Sequence, residues 1–137
     1  MATLFSRIAA GEIPCHRIAG NDEFFAFLDI NPIAKGHTLV IPKKEVDYLF
    51  DLDDEVLGRM MAFAKTVARA LEQAIPCKRI GLTVIGLEVP HAHIHLVPIR
   101  KESDLSFGHP KLETTPEELA QTAAKIREKL IRGLTQE

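Results

Sequence analysis

The most constraining stretch of this 137-residue chain is His91-Ala92-His93-Ile94-His95-Leu96, in which imidazoles and apolar side chains alternate without a break. That is the period of a β-strand, whose side chains at i, i+2 and i+4 line one face about 6.5 Å apart. His91, His93 and His95 are therefore expected on one face, with Ala92, Ile94 and Leu96 packed on the other. Imidazoles set against a buried layer are costly unless their nitrogens find partners. Two chemistries suit three of them on one face. One is a three-histidine metal centre, since imidazole ligates zinc; against it, the strand lacks neighbouring carboxylates, and a third ligand at i+4 reaches a tetrahedral ion poorly. The other is chemistry at phosphorus, where one histidine attacks a phosphoryl or nucleotidyl centre and its neighbours hold charge or protonate a leaving group.

The rest of the chain supplies partners for that strand. Short strands are expected at Ile18–Ala19 and Phe24–Leu28, with Gly20-Asn21-Asp22 as turn chemistry between them, and at Thr38–Ile41, ended by Pro42. Ile80–Ile85 and His93–Ile99 complete a set of five. Residues 3 to 10 read as a short helix stopped by Gly11 and Pro14. A long helix is expected from Asp53 to Ala74, because Leu57, Met60, Ala64, Val67, Ala68, Leu71 and Ile75 recur at three- and four-residue spacing. Asp51 or Asp53 can cap it, and Pro76 ends it. Thr115-Pro116-Glu117-Glu118 combines a capping box with proline at the first helical position, opening a last helix with Leu119, Ala123, Ile126 and Leu130 on one stripe and an end near Gly133. Strands grouped ahead of the first long helix call for an antiparallel sheet: an α+β domain of about five strands, a long helix packed on it, and an extra C-terminal helix. A doubly wound parallel sheet would need helices between most strands.

Composition narrows function more than fold. Seventeen Lys and Arg against nineteen Asp and Glu give a net charge of -2, which argues against extended nucleic acid and leaves room for a single nucleotide in a local pocket. No run is long and apolar enough to span a bilayer. The N-terminus lacks the charged and apolar regions of a secretory signal, and two cysteines without a Cys-x-x-Cys pair suit a reduced, cytoplasmic setting. His16 and His109 have no motif around them and read as surface or turn residues; Lys43 and Lys44 read as a solvated strand end.

Val89-Pro90-His91-Ala92-His93-Ile94-His95-Leu96-Val97-Pro98 resembles the motif of the histidine triad family, in which three histidines alternate with apolar residues. The likeness extends upstream, through Thr3-Leu4-Phe5-Ser6-Arg7-Ile8, Gly11-Glu12-Ile13-Pro14, Phe27-Leu28-Asp29-Ile30-Asn31-Pro32 and Gly36-His37-Thr38-Leu39-Val40-Ile41-Pro42-Lys43-Lys44, each similar to the nucleotide-binding, phosphoramidase-like branch. The resemblance implies hydrolysis or transfer on nucleoside 5′-monophosphates joined to an amine, an acyl group or a phosphate, through a nucleotidyl-histidine. In those roles His93 is the nucleophile, His95 stands beside the phosphate and leaving group, and His91 and His37 support them. Asp29 holds the ribose hydroxyls; Leu4, Phe5, Ile8, Phe27, Ile30 and Leu39 form an apolar slot for a purine; Gly86 and Glu88 lie in the loop beside the phosphate. The implied partners are a small purine nucleotide and a second copy of the chain, the sheets of a homodimer joining with the long helix near the interface; no cofactor or metal is implied. Residues 1–112 would form the triad domain and 113–137 a helical extension packed on it or on the dimer mate.

Two departures from the family pattern stand out. The loop ahead of the triad, Thr83-Val84-Ile85-Gly86-Leu87-Glu88, is short, with Thr83 near the family's Asn and Leu87 in place of its Gln. Thr3 and Ser6 occupy the positions where many bacterial relatives carry the Cys-x-x-Cys of a structural zinc, so no such site is expected. Nucleotide binding or scaffolding with little turnover is the alternative that the first departure raises.

Overall fold

The computed structural model describes residues 3–108 and 110–135; His109 lies outside the described residues. Five strands, β1 (Arg17–Gly20), β2 (Phe24–Leu28), β3 (Thr38–Pro42), β4 (Arg79–Thr83) and β5 (Ile94–Ile99), form one antiparallel sheet in the order β1-β2-β3-β5-β4. Three α-helices accompany them: α1 (Leu4–Ala9), α2 (Asp54–Ala74) and α3 (Pro116–Thr135). The expected α+β architecture is the observed one.

Alternation along the strands sends side chains to two different cores. On one face Phe24, Ala26, Leu28, Val40, Ile94 and Leu96 meet Met60, Ala64, Val67 and Leu71 of α2 and Ala123 and Ile126 of α3. On the other, Phe25, Phe27, Leu39 and Ile41 meet Phe5 and Ile8 of α1. Both flanks of β2 and β3 are therefore covered, which is why these strands read as continuous apolar runs and every residue in them is buried. The helix α2 begins where the Asp53 carboxylate accepts the Val56 N–H at 2.9 Å, with Asp54 and Glu55 favourably placed in its first turn. Thr115 caps α3 through the Glu118 N–H at 3.2 Å, as the Thr-Pro-Glu-Glu pattern requires. α3 packs on α2 and β1 of its own chain.

Two strands are shorter at one end than expected, while β1, β3 and the start of β4 run on by a residue. β4 stops at Thr83, short of Ile85, because its last partner is His95. β5 starts at Ile94 rather than His93, since the chain turns upstream of it: His91 N–H donates to Val89 O at 2.8 Å and Ala92 N–H to Val46 O at 2.7 Å, taking that backbone out of the ladder. Two single-turn 3-10 helices, Leu49–Asp51 and Glu102–Leu105, had no counterpart in the expectation, as three or four residues are too few to show a period.

Gly36 holds the turn that delivers His37 to the sheet. Its φ is +88°, and a Cβ there would lie 3.0 Å from the Ile75 side chain and 3.3 Å from Pro98. Both facts demand glycine. Gly36→Ala is expected to cost about 1–3 kcal/mol, read as a lower urea midpoint with an unchanged slope.

Candidate active site

The sheet face that carries Phe5 and Leu39 also carries the histidines. Phe5 stands edge-on to His91 at 6.0 Å and to His93 at 5.1 Å, and the His93 and His95 rings are 4.8 Å apart. The three imidazoles thus share one side, while Ala92, Ile94 and Leu96 belong to the helix-side core. His95 sits opposite Leu39 of β3, and His37, immediately before β3, comes to it from the neighbouring strand. All four histidines are buried.

Hydrogen bonds determine where each ring carries its proton. His91 Nε2 lies 2.7 Å from Pro42 O, and a carbonyl can only accept, so the proton is on Nε2. His91 Nδ1 therefore accepts from the Thr3 hydroxyl at 2.6 Å. His93 Nδ1 donates to His91 O at 2.8 Å, which leaves the lone pair on Nε2. His37 Nδ1 accepts the Ile33 N–H at 3.1 Å, so its proton is on Nε2 and is donated to His95 Nδ1 at 2.9 Å. His95 must then carry its own proton on Nε2. Among the described residues no buried side-chain nitrogen lacks a partner. The Nε2 atoms of His93 and His95, which make no hydrogen bond among the described residues, are accordingly open to solvent. The face presents a lone pair beside an N–H donor.

Burial keeps His37 and His95 neutral. Desolvation, with smaller contributions from Lys111 and His93, lowers the His37 pKa from 6.5 to about 4. Desolvation again, then His93, His37 and Lys111, lowers His95 to about 3. Asp29 Oδ1 accepts the Asn31 N–H at 2.8 Å, so Asp29 is a turn residue as well as a site candidate. Its Oδ2 is 3.7 Å from His37 Nε2, but a neutral His37 makes no ion pair with it. Desolvation raises the Asp29 pKa above the ordinary carboxylate value.

The other candidates divide. Phe5, Ile8, Phe27 and Leu39 come together as one buried cluster, joined by Phe25 and Ile41, which the motif comparison passed over. Leu4 and Ile30 lie at the surface, 50% and 65% exposed. Glu88 is exposed and Gly86 adopts a φ of +71° in the loop between β4 and the triad. Thr3 and Ser6 do meet His91: the Ser6 hydroxyl is 3.5 Å from His91 Nδ1, and the Glu45 carboxylate accepts the Thr3 N–H at 2.6 Å. The Ser6 hydroxyl and Thr3 N–H hold the Glu45 carboxyl below its usual value. Hydroxyls here do the holding by hydrogen bonds. Phe107, 4.8 Å from the His95 ring, and Lys111, 5.0 Å from the Phe107 ring, had no sequence pattern to mark them.

Metal binding can be weighed on the same geometry. The triad histidines do not converge on one point; among the described residues the group with ligand atoms close together is Asp29, His37 and His95, within 4.8 Å. A cation between His37 Nε2 and His95 Nδ1 would displace the proton they share. His37 would then carry it on Nδ1, facing the Ile33 N–H donor. The donor set does not suit a metal.

This arrangement is that of a known class. Residues 10–102 match the family model described as the HIT domain, and the chain belongs to the histidine triad family. It is 36% identical to the adenosine 5′-monophosphoramidase of Saccharomyces cerevisiae, over 94% of this chain and 83% of that protein, and 33% identical to that of Schizosaccharomyces pombe, over 95% and 99%. Among solved structures, a zinc-bound histidine triad family protein from Mycobacterium smegmatis superposes with a TM-score of 0.85 at 29% identity, covering 100% of this chain and 99% of that one. A Hit-like protein from Bartonella henselae gives 0.81 at 32% identity, covering 93% and 95%.

The lowered histidine pKa values have a consequence for stability. Between about 4 and 6.5 an unfolded His37 binds a proton that the folded one does not, and likewise His95 between about 3 and 6.5. Their contribution is complete above pH 6.5 and lost as pH falls through that window. Asp29, whose pKa is raised, works in the opposite direction and offsets part of it. Urea midpoints should therefore drop from pH 7.5 to pH 5, and His37→Asn should flatten that dependence.

Proposed function

We propose that the chain hydrolyses nucleoside 5′-monophosphate derivatives, phosphoramidates foremost, through a nucleotide bound covalently to His93. The observation that carries the reading is the His93 Nδ1–H bond to His91 O, which leaves an Nε2 lone pair open to solvent next to the His95 Nε2–H. The phosphoramidase names of the two yeast relatives support the same reaction class.

In the first step His93 Nε2 bonds to phosphorus and the bond from phosphorus to the leaving amine breaks. The amine departs having taken a proton from solvent. Water then attacks the phosphorus, the bond to Nε2 breaks, and the nucleoside monophosphate leaves with a proton returned to solvent. His95, neutral down to about pH 3, serves as a hydrogen-bond donor to the phosphoryl oxygen or leaving group rather than as a proton store. His37 holds His95 in its tautomer, and Thr3 and Pro42 hold His91, whose carbonyl orients the nucleophile. Asp29 would accept from the ribose hydroxyls, and a purine would lie against the cluster of Phe5, Ile8, Phe27 and Leu39, flanked by Leu4 and Ile30; Gly86 and Glu88 border the phosphate. The neutral pair and an apolar wall together suit a single nucleotide.

The test is release of AMP from an adenosine phosphoramidate in the presence of a chelator. Turnover should persist, and His93→Ala should lower it by at least about a thousandfold. Tight binding with no turnover in the unaltered protein would favour a nucleotide-binding role instead.

We further propose a homodimer joined along β4. That strand ends the sheet, and Leu82, Val84 and Ile85, on it and just beyond it, are 43%, 38% and 47% exposed, an apolar edge that a second sheet can cover. The segment from residue 113 through the end of α3 extends the same unit. No helix among the described residues is long and apolar enough to cross a membrane. The free thiols of Cys15 and Cys77 fit the reducing cytoplasm. Light scattering should give twice the chain mass of 15.2 kDa, and Leu82→Lys should shift it toward the monomer.

A further inference from the structure

Phe107 and Lys111 lie between the Glu102–Leu105 turn and α3, and Phe107 comes against the histidine face. The Phe107 ring stands 4.8 Å from His95 and 5.9 Å from His37, walling the pair on one side. Lys111 Nζ lies 5.0 Å from the centre of that ring, a cation–π contact that ties the ammonium to the residue walling His95. The backbone is tied from the other side: Leu112 N–H donates to Pro32 O at 2.8 Å, in the turn that begins at Asp29. Lys111 is thereby held between the Asp29 turn and the ring that covers His95. It has no carboxylate partner within ion-pair distance among the described residues. Its charge reaches the site, since it contributes to lowering the pKa of Asp29, His37 and His95 alike.

The pocket needs such a charge. His37 and His95 are neutral, so they offer a phosphoryl anion one N–H and no positive charge. The loop ahead of the triad adds no side-chain amide, and Leu87 there is 88% exposed. Lys43 and Lys44 follow the opposite end of β3, beyond the pairing of Pro42 with Phe24, away from His37.

We propose that Lys111 is a substrate-binding residue that pairs with the anionic phosphoryl group of a nucleotide on the histidine face. The proposal rests on the nucleotide reading above and extends it to a residue outside the motif. Lys111 supplies by charge what the loop does not supply by hydrogen bonding. Because the ammonium is exposed, the pairing weakens as salt rises.

The test compares equilibrium binding of AMP and of adenosine to the full chain, by calorimetry at low and high salt. Lys111→Gln should weaken AMP by about tenfold, the scale of a hydrogen bond to a charged group, and leave adenosine within twofold. Lys111→Arg should retain most of the AMP affinity, and high salt should narrow the gap between the unaltered protein and Lys111→Gln. Unchanged AMP affinity in Lys111→Gln overturns the proposal. An equal loss for adenosine also overturns it, since Lys111 would then only be supporting the Phe107 wall. Failure of both ligands to bind the unaltered protein would overturn the nucleotide reading and this one with it. A Lys111-dependent preference for AMP in a protein that turns over no phosphoramidate would remove the hydrolase reading and leave this one standing.

Discussion

A backbone N–H can only donate, and a backbone carbonyl can only accept. The Ile33 amide against His37 Nδ1 and the His91 carbonyl against His93 Nδ1 therefore settle the protonation pattern of the whole face. From the first follows the proton on His37 Nε2, its donation to His95 Nδ1, and the outward N–H of His95. From the second follows the outward lone pair of His93. Main-chain geometry, set by the turn at Gly36 and the bend ahead of β5, thus imposes a chemical polarity on rings that are identical in isolation.

That polarity depends on dryness. Sheet, α1 and the Phe107 segment exclude enough water to push His37 and His95 well below the usual histidine range, so neither ring is a protonated acid at neutral pH. A neutral pair keeps the neighbouring His93 lone pair from facing two fixed positive charges. It also leaves an incoming anion without a counter-charge on the strands themselves, and the Lys111 ammonium, whose charge lowers the His37 and His95 pKa values, stands on a separate segment. The same burial that orients the rings makes them a stability liability in acid.

Much of this was legible before any coordinates. Alternation in His91–Leu96 separated the imidazole side from the Ala92, Ile94 and Leu96 side although the strand itself begins only at Ile94, the helical stripes marked α2 and α3, and Asp53 and Thr115 marked their starts. Local chemistry was enough because each of these patterns is read within a few residues. His37 entered through its likeness to a family position, and its contact with His95 spans 58 positions in sequence, which no local period encodes. Phe107 and Lys111 went unmarked for the same reason: one aromatic and one lysine in a polar stretch have no pattern until the chain is folded back over the sheet. Thr3 and Ser6 read as positions that had lost a zinc site; only in space do they become hydrogen-bonding groups for His91.

By itself, then, the alternating run pointed to three imidazoles on one side and apolar residues on the other, because side-chain direction along an extended chain is a property of the backbone alone; only His95 of the three lies within β5. Tertiary structure decided which of their nitrogens hold protons, how neutral they are and which cation stands near them. Those properties come from desolvation and from partners supplied by β3, α1 and the segment before α3, elements that sequence separates and packing brings together.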